Sequence, residues 1–219
     1  MTIRSSDILR KTNFTELTEH IMGTIVPDEK YEKCRKILKD SISSKRYIHS
    51  IGVSNTAACL AMRYGYDCRV SYLAGLLHDC AKGLSETELL DEAKKAGLEV
   101  SDIEKESPEL LHSKVGSIIA KEKYRIEDEE ILSAIYYHTT GRPGMTLNEK
   151  IIFVADYIEP NRTNLPDLDK IRAVAFSDID EAIAMMCKNT LDHLKCNGKA
   201  IDRTTIDTYE YYSQNTGME

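Results

Sequence analysis

Helical periodicity is the feature that most constrains the fold of this chain. Apolar residues recur three and four positions apart through most of the 219 residues, and no convincing alternating run of the strand type interrupts them. Helix start and stop signals divide this pattern, for example Ser85 with Glu88 in a capping box and Gly97 at a helix end. The sequence therefore predicts an all-α fold, a bundle of helices.

Caps and breakers give the approximate bounds of the predicted helices. Ser43, Ser113, Asp128 and Asp178 can each cap a helix start. The predicted helices cover residues 30–40, 45–64, 69–81, 85–97, 113–124, 128–138, 148–158, 178–196 and 202–212. The Gly-Arg-Pro-Gly segment at 141–144 is predicted to be a loop.

The length of the chain suits one domain with a substantial buried core. Residues 1–29 differ from the rest, since they are polar, weakly periodic and interrupted by Pro27. We expect an appended N-terminal arm or helix over residues 1–29 and a single helical domain over residues 30–219.

Composition and charge exclude several classes of partner. A net charge of −7 with no basic run argues against bulk nucleic acid or a membrane surface as the partner. No charge-free apolar stretch reaches the ~18 residues of a membrane-spanning helix, and no export signal is recognisable at the N-terminus. Six cysteines without a CxxC pair indicate reduced thiols, as in the cytoplasm.

Two apolar runs of the sequence end in residues that commonly bind metals. His78 and Asp79 follow the run 73–77, and Asp156 follows the run 151–155. Burying a charge after such a run is costly unless the charge is paired or coordinated. These residues therefore predict a buried ionic centre.

Four of the six histidines and two aspartates complete a candidate metal centre. Its residues are His49, His78, Asp79, His112, His138 and Asp156. Mixed nitrogen and oxygen ligands suit iron, manganese, zinc or another first-row ion better than calcium. Because six protein ligands exceed the number that one catalytic ion normally takes, we expect two ions with Asp79 as the bridge.

Glycines lie one helical turn from three of these histidines, at Gly52, Gly75 and Gly116. A glycine inside a helix costs ~1 kcal/mol relative to alanine, so a packing reason is expected. We predict that the helices approach closely at these positions, which would bring imidazoles from different helices onto one ion.

Positive side chains lie near the candidate ligands along the sequence. They are Arg46, Lys82, Arg142 and Arg162, each within six positions of a candidate ligand. A positive side chain beside a divalent cation is unfavourable unless an anion lies between them. The pattern predicts an oligophosphate ligand, to which the Thr139 hydroxyl could also donate. Ordinary solvated surface cations are the alternative, chiefly for Arg46 and Arg142.

Several segments that carry these residues resemble a known family. The segments are Arg46-Tyr47-Ile48-His49-Ser50, Leu76-Leu77-His78-Asp79-Cys80-Ala81-Lys82, Leu111-His112-Ser113, His138-Thr139-Thr140-Gly141 and Ile151-Ile152-Phe153-Val154-Ala155-Asp156-Tyr157-Ile158-Glu159-Pro160-Asn161-Arg162. They resemble the HD-domain superfamily and, within it, the YqeK family of bacterial symmetrical diadenosine-tetraphosphate hydrolases. The resemblance covers roughly residues 30–215, and its last two segments are the most specific.

The resemblance implies a metal-dependent phosphohydrolase that cleaves diadenosine tetraphosphate, a dinucleoside polyphosphate, into two ADP. It implies iron as the native ion, which manganese, zinc, cobalt or nickel could replace. Carried over position by position, His49, His78, Asp79 and Asp156 would hold the better-occupied ion, and His112 and His138 would hold a second ion or contact the phosphates. Lys82, Thr139, Arg142 and Arg162 would lie along the nucleotide, with Asp79 and Lys82 as catalytic residues.

Two alternatives to this function are open. Another HD-type reaction, on a cyclic dinucleotide, a deoxynucleoside triphosphate or an alarmone, would use the same metals with a different base pocket. A metal-dependent nucleotide sensor without turnover is the second alternative, and the complete ligand set argues against it. The sequence does not determine the oligomeric state, and a homodimer is one option.

Overall fold

The computed structural model describes residues 29–216, which form helices and connecting turns with no strand in this range. The helices are α1 (Glu29–Ser41), α2 (Ser44–Tyr64), α3 (Cys68–Leu77), α4 (Glu86–Lys95), α5 (Asp102–Glu106), α6 (His112–Glu122), α7 (Glu129–Tyr137), α8 (Leu147–Ile158), α9 (Leu168–Ala175), α10 (Ile179–Cys196) and α11 (Arg203–Thr216). A 3₁₀ turn, Pro108–Leu111, leads into α6. The prediction of an all-α bundle is confirmed.

Short polar side chains begin most of these helices, as their sequence positions predicted. Ser43, Asp128 and Asp178 accept hydrogen bonds from backbone N–H groups at the starts of α2, α7 and α10. Ser85 forms a reciprocal capping box with Glu88 at the start of α4. These caps satisfy N–H groups that have no partner within the helix, so they set where each helix starts.

Helix α3 lies at the centre of the bundle. Its residues from Ser71 to Leu77 are all buried, and it packs against α2, α7 and α8. A Cβ atom at Gly75 would lie 2.9 Å from the Cα atom of Ser54, so the backbones of α2 and α3 touch. The predicted close approach is confirmed at Gly75. At Gly116 the nearest atom would lie 3.5 Å away, an ordinary contact that does not require glycine.

A smaller apolar cluster holds two of the turns that carry candidate ligands. It consists of Ala81 in the turn before α4, Leu89 and Ala93 on α4, Leu111 in the 3₁₀ turn and Val115 on α6. Ala81 follows Asp79 by two residues, and Leu111 directly precedes His112. Burial of these apolar neighbours therefore fixes the position of both ligand candidates.

The predicted helix over residues 69–81 is too long at its C-terminal end. Helix α3 ends at Leu77, and the backbone N–H of Cys80 donates to the Leu77 carbonyl at 3.0 Å in the first of several turns. The His78 ring nitrogen Nδ1 lies 2.7 Å from the Gly75 carbonyl oxygen, which the next α-helical hydrogen bond would have used. The helix therefore stops just before the candidate ligand pair.

Ser113 does not cap a helix, contrary to the prediction. Helix α6 begins one residue earlier, at His112, because the 3₁₀ turn runs directly into it. The backbone at Leu111 is already helical (φ −69°, ψ −13°), whereas a capping residue is usually extended. Ser113 therefore lies inside the helix and is buried.

Two helices are absent from the sequence prediction. Helix α5 starts with a capping box between Ser101 and Glu104, a signal that the sequence does contain. Helix α9 follows Asp167, whose backbone is left-handed (φ 52°) and whose side chain makes no capping hydrogen bond. Its start therefore carried no recognisable signal.

The predicted N-terminal arm, residues 1–29, lies outside the described residues except for Glu29, the first residue of α1. Within residues 29–216, every helix is too short or too polar to cross a membrane.

Candidate metal centre

Six candidate ligands from five parts of the fold converge between the helices. They are His49 on α2, His78 and Asp79 after α3, His112 at the start of α6, His138 at the end of α7 and Asp156 on α8. Their ligating atoms form three overlapping groups of three residues, and within each group these atoms lie within 4.8 Å of one another. The structure thus brings together all six residues that the sequence singled out.

Asp79 lies in the middle of this centre, and its two oxygens face different histidine pairs. Its Oδ2 atom is 3.9 Å from His49 Nε2 and 3.6 Å from His78 Nε2. Its Oδ1 atom is 3.5 Å from His112 Nε2 and 3.7 Å from His138 Nε2. Each oxygen of Asp79 thus faces a separate pair of imidazole nitrogens.

Three histidines are held in one tautomer by backbone carbonyl groups. The Nδ1 atoms of His78, His112 and His138 lie 2.5–2.7 Å from the carbonyl oxygen three residues earlier. Because a carbonyl oxygen only accepts, each Nδ1 carries the hydrogen. Burial lowers the pKa of His78 to about 4 and that of His112 to about 3, so both imidazoles are neutral near pH 7. Their Nε2 atoms therefore present lone pairs to the centre.

The lone pairs on these Nε2 atoms face lone pairs of carboxylate oxygens or of another imidazole nitrogen. A bound cation would stabilise this arrangement. The Nε2 atom of His78 is buried without a hydrogen-bond partner among the described residues and points toward the carboxylates of Asp79 and Asp156. The Nε2 atoms of His112 and His138 lie 3.1 Å from each other. A buried imidazole nitrogen and carboxylate oxygens are donors that a first-row divalent ion accepts. The residues present therefore fit a divalent metal.

His49 shows how strongly this centre favours positive charge. Its Nε2 atom lies 2.9 Å from Asp156 Oδ1, and its Nδ1 atom lies 3.1 Å from Glu159 Oε1. Burial opposes a charge on His49, but hydrogen bonds that its ring N–H groups donate to the Asp156 and Glu159 carboxylates raise its pKa to about 9. The pKa of Asp156 is held well below its usual range, against the opposing effect of burial, by the contact with protonated His49 and by the positive charge of Arg162.

Glu159 is a site residue that the sequence reasoning did not single out. Its side chain is buried, and besides facing His49 it accepts hydrogen bonds at Oε2 from the Asn161 backbone N–H (2.7 Å) and side-chain amide (3.0 Å). A Cβ atom at Gly52 would overlap Glu159 Oε2, so Gly52 provides the space for this carboxylate. A carboxylate on the far nitrogen of a metal-binding histidine fixes its tautomer and orientation. The signal available was a carboxylate three residues after Asp156.

A cavity of about 320 Å³ opens over the centre. It is lined by Arg46, Asp79, Lys82, His112, His138, Thr139, Phe153, Asp156, Tyr157, Arg162, Met186 and Thr190. Arg46 Nη1 lies 2.9 Å from Asp79 Oδ2, and Arg162 Nη2 lies 2.6 Å from Asp156 Oδ1. The cavity therefore combines positively charged groups on its rim with apolar side chains deeper inside.

Three of the four residues predicted to contact the nucleotide line this cavity. Lys82 is half-buried and makes no ion pair with the described residues, and burial lowers its pKa. The Thr139 hydroxyl lies 3.1 Å from His112 Nε2, and Arg162 is on the rim.

Arg142 is the exception, because it does not line the cavity. Its Nε atom donates to Glu149 Oε2 at 3.0 Å, and its guanidinium lies 4.9 Å from the centre of the Tyr137 ring. Since Glu149 is buried, this ion pair holds Arg142 against α8 rather than free to meet a ligand. The structure therefore does not support including Arg142 in the phosphate site.

The fold and the site together define a helical protein with a centre for divalent cations beside a positively charged cavity. The HD domain family matches residues 46–161, a range that contains all six candidate ligands. The chain is 38% identical over 180 residues to the symmetrical bis(5'-nucleosyl)-tetraphosphatase of Bacillus subtilis (strain 168), with 82% of this chain and 96% of that protein covered. The chain belongs to the HD-domain family.

Two further comparisons agree with this assignment. The symmetrical bis(5'-nucleosyl)-tetraphosphatase of Staphylococcus aureus (strain NCTC 8325 / PS 47) is 39% identical over 184 residues, with 83% of this chain and 94% of that protein covered. A crystal structure described as a predicted HD superfamily hydrolase involved in NAD metabolism, from Clostridium acetobutylicum, superposes with a TM-score of 0.82 at 39% identity. The alignment covers 84% of this chain and 97% of that one. The family resemblance seen in the sequence is thus confirmed.

Proposed function

We propose that this protein is a metal-dependent hydrolase that cleaves diadenosine tetraphosphate symmetrically into two ADP. The observation that carries the proposal is the agreement between the site and the relatives. The chain is 38–41% identical to proteins named for this activity, over nearly their whole length, and it retains a complete histidine and aspartate centre under a positively charged cavity.

His49, His78, Asp79 and Asp156 are the proposed ligands of the first ion, and Asp79, His112 and His138 those of a second. A divalent ion held here would supply Lewis-acid chemistry, which lowers the pKa of water toward ~7 and neutralises charge on a phosphoryl group. We propose iron as the native ion, because the mixed imidazole and carboxylate donors suit a borderline first-row metal. Manganese, zinc, cobalt and nickel are the proposed substitutes.

Hydrolysis joins the oxygen of water to one of the two central phosphorus atoms. It breaks the bond between this phosphorus and the bridging oxygen that joins the two central phosphorus atoms. The bond electrons leave with the bridging oxygen, which becomes the terminal phosphate oxygen of the second ADP. The protons of the water go to this leaving oxygen and to solvent. Both products are ADP, because the cut falls at the centre of four phosphates.

The side chains around the cavity stabilise the negative charge that builds on the phosphates. Lys82 is the group we place on the reacting phosphate, since its ammonium group has no competing carboxylate within ion-pair distance among the described residues. Arg46 and Arg162 lie on the rim, where they can bind the neighbouring phosphates, and the Thr139 hydroxyl can donate to one of them.

His112 and His138 have a second proposed role. Where they do not hold an ion, either can take a proton at Nε2 and pass it to the leaving oxygen, because the Nδ1 atom of each is held by a backbone carbonyl.

Asp79→Ala should remove both the bound metal and the turnover, since Asp79 faces four histidines.

The protein purified without oxygen and loaded with iron(II) tests this proposal. We expect two ADP for each diadenosine tetraphosphate, and loss of activity after treatment with a chelator. AMP plus ATP as products, or tight binding without any product at saturating iron, would contradict it. A cyclic dinucleotide, a deoxynucleoside triphosphate or an alarmone assayed in parallel must be cleaved far more slowly.

The remaining features of the proposal concern location and assembly. The six unpaired cysteines are consistent with a reducing compartment, and we propose the cytoplasm as the location. A homodimer stays a prediction.

A further inference from the structure

A second cavity adjoins the metal cavity and shares two arginines with it. This outer groove, of about 790 Å³, lies between the start of α2 and the segment after α8 and is lined by Ser43, Lys45, Ile48, Asn161 and Thr163, together with parts of His49 and Glu159. Arg46 and Arg162 line both the outer groove and the metal cavity. A chain of phosphates that leaves the metal cavity on this side must pass between or beside these two guanidinium groups.

The metal cavity is small for a ligand with two nucleosides. Its volume of about 320 Å³ is near the lower end of the ~300–1,000 Å³ typical of small-ligand pockets. The ions and the reacting phosphates would take part of that space, which leaves little room for two nucleosides. The side chains of Phe153 and Met186 line it and offer an apolar surface to one base.

The outer groove has the chemistry to receive a nucleotide. Lys45, Arg46 and Arg162 supply positive charge, and the side chains of Arg46 and Arg162 are 43% and 37% exposed. The acidic residue among those that line it is Glu159, which is buried and occupied by its hydrogen bonds. Ile48 is 55% exposed, so an apolar surface lies next to these cations.

We propose that the outer groove binds the second nucleoside half of a dinucleoside polyphosphate, with its base against Ile48 and its phosphates between Arg46 and Arg162. This inference rests on the proposed function. A substrate cut at its centre must place its middle phosphates at the metal centre, so its two nucleosides leave that point in different directions. One direction ends inside the metal cavity, and the other leads past the two arginines into the outer groove.

Two matched variants test this proposal. Ile48→Asp places a negative charge in the outer groove, and Met62→Asp makes the same change on the same helix at a residue that is 70% exposed and lines neither cavity. For Ile48→Asp we expect kcat/KM for diadenosine tetraphosphate to fall about tenfold, which corresponds to about 1.4 kcal/mol, through KM rather than kcat. Met62→Asp should stay within twofold of the wild type.

The outcomes separate this inference from the proposed function. If the wild type forms no ADP from diadenosine tetraphosphate, the proposed function itself fails. If the wild type forms ADP but Ile48→Asp is within twofold of it, or Met62→Asp falls equally, the outer groove is not a nucleoside site. Light scattering measures the oligomeric state of the three proteins. If the wild type is a dimer that dissociates in Ile48→Asp alone, a second copy of the chain covers Ile48, and the proposal is overturned.

Discussion

The role of Glu159 can be tested by a substitution that removes very few atoms. Glu159 accepts three hydrogen bonds with its two oxygens, one from His49 at Oε1 and two from Asn161 at Oε2. Glu159→Gln keeps the shape but leaves one oxygen and introduces an amide that donates. In one orientation the amide NH2 group faces the N–H group of His49, and in the other it faces the N–H groups of Asn161. In either case two hydrogen-bond donors meet. At least one hydrogen bond in a buried site is therefore lost.

The magnitude follows from the position of Glu159 behind a metal ligand. Loss of such a supporting group typically costs 10–100-fold in metal affinity, which is about 1.4–2.7 kcal/mol. We expect this loss for Glu159→Gln, because the His49 ring is no longer held with Nε2 toward Asp79 and Asp156. The neutral amide also removes a negative charge that favours a cation at the centre.

Titration calorimetry with manganese or iron(II) measures the affinity, and Glu104→Gln is the matched control. Glu104 is also a buried carboxylate (3% exposed) and pairs with Lys114 at 2.7 Å, but it does not line the cavity. Its substitution should lower the stability and leave the metal affinity unchanged. Equal affinities for wild type and Glu159→Gln, or equal losses in both variants, would show that Glu159 does not support the metal site.

Three further predictions follow from the site and its packing. Lys82→Ala should lower kcat/KM by roughly 10²-fold while the metal content stays unchanged, because Lys82 faces the phosphates and not the ions; elemental analysis beside the ADP assay checks this. Gly75→Ala should destabilise the protein in urea unfolding by about 1–3 kcal/mol, since its Cβ would meet Ser54, whereas Gly116→Ala should be neutral or slightly stabilising. Metal binding at pH 7 should release about one proton, because the pKa of His49 is about 9 and its Nε2 atom must lose a proton to bind the ion. Calorimetry in buffers of different ionisation enthalpy measures this release. An observed binding enthalpy that is the same in every buffer would contradict it.

Much of the fold was predictable because its signals are local. The caps at Ser43, Asp128 and Asp178 and the capping box at Ser85 act through residues two or three positions away, so the sequence alone locates these helix starts. The end of α3 was not predictable in the same way. It depends on the hydrogen bond between the His78 ring and the Gly75 carbonyl, a competition that periodicity does not reveal.

The candidate site was predictable in its ligands and less so in its surroundings. His78, Asp79 and Asp156 stood out because each follows an apolar run, and a buried polar group needs a partner. Arg142 lies at a similar spacing from a ligand as Lys82, but its partner Glu149 comes from a capping box whose carboxylate is buried by tertiary packing. The role of Glu159 was not predictable, because its contact with His49 joins positions 110 residues apart.

The proposed function depends on divalent cations held by residues from separate helices, with Asp79 between them. Anomalous diffraction from crystals grown with iron(II) or manganese measures this directly. We expect a strong peak within bonding distance of His49, His78, Asp79 and Asp156, and a second peak between Asp79, His112 and His138 if that pair also holds an ion. A protein that takes up no ion at this place, while it still converts diadenosine tetraphosphate to ADP, would show that the reaction does not depend on this centre.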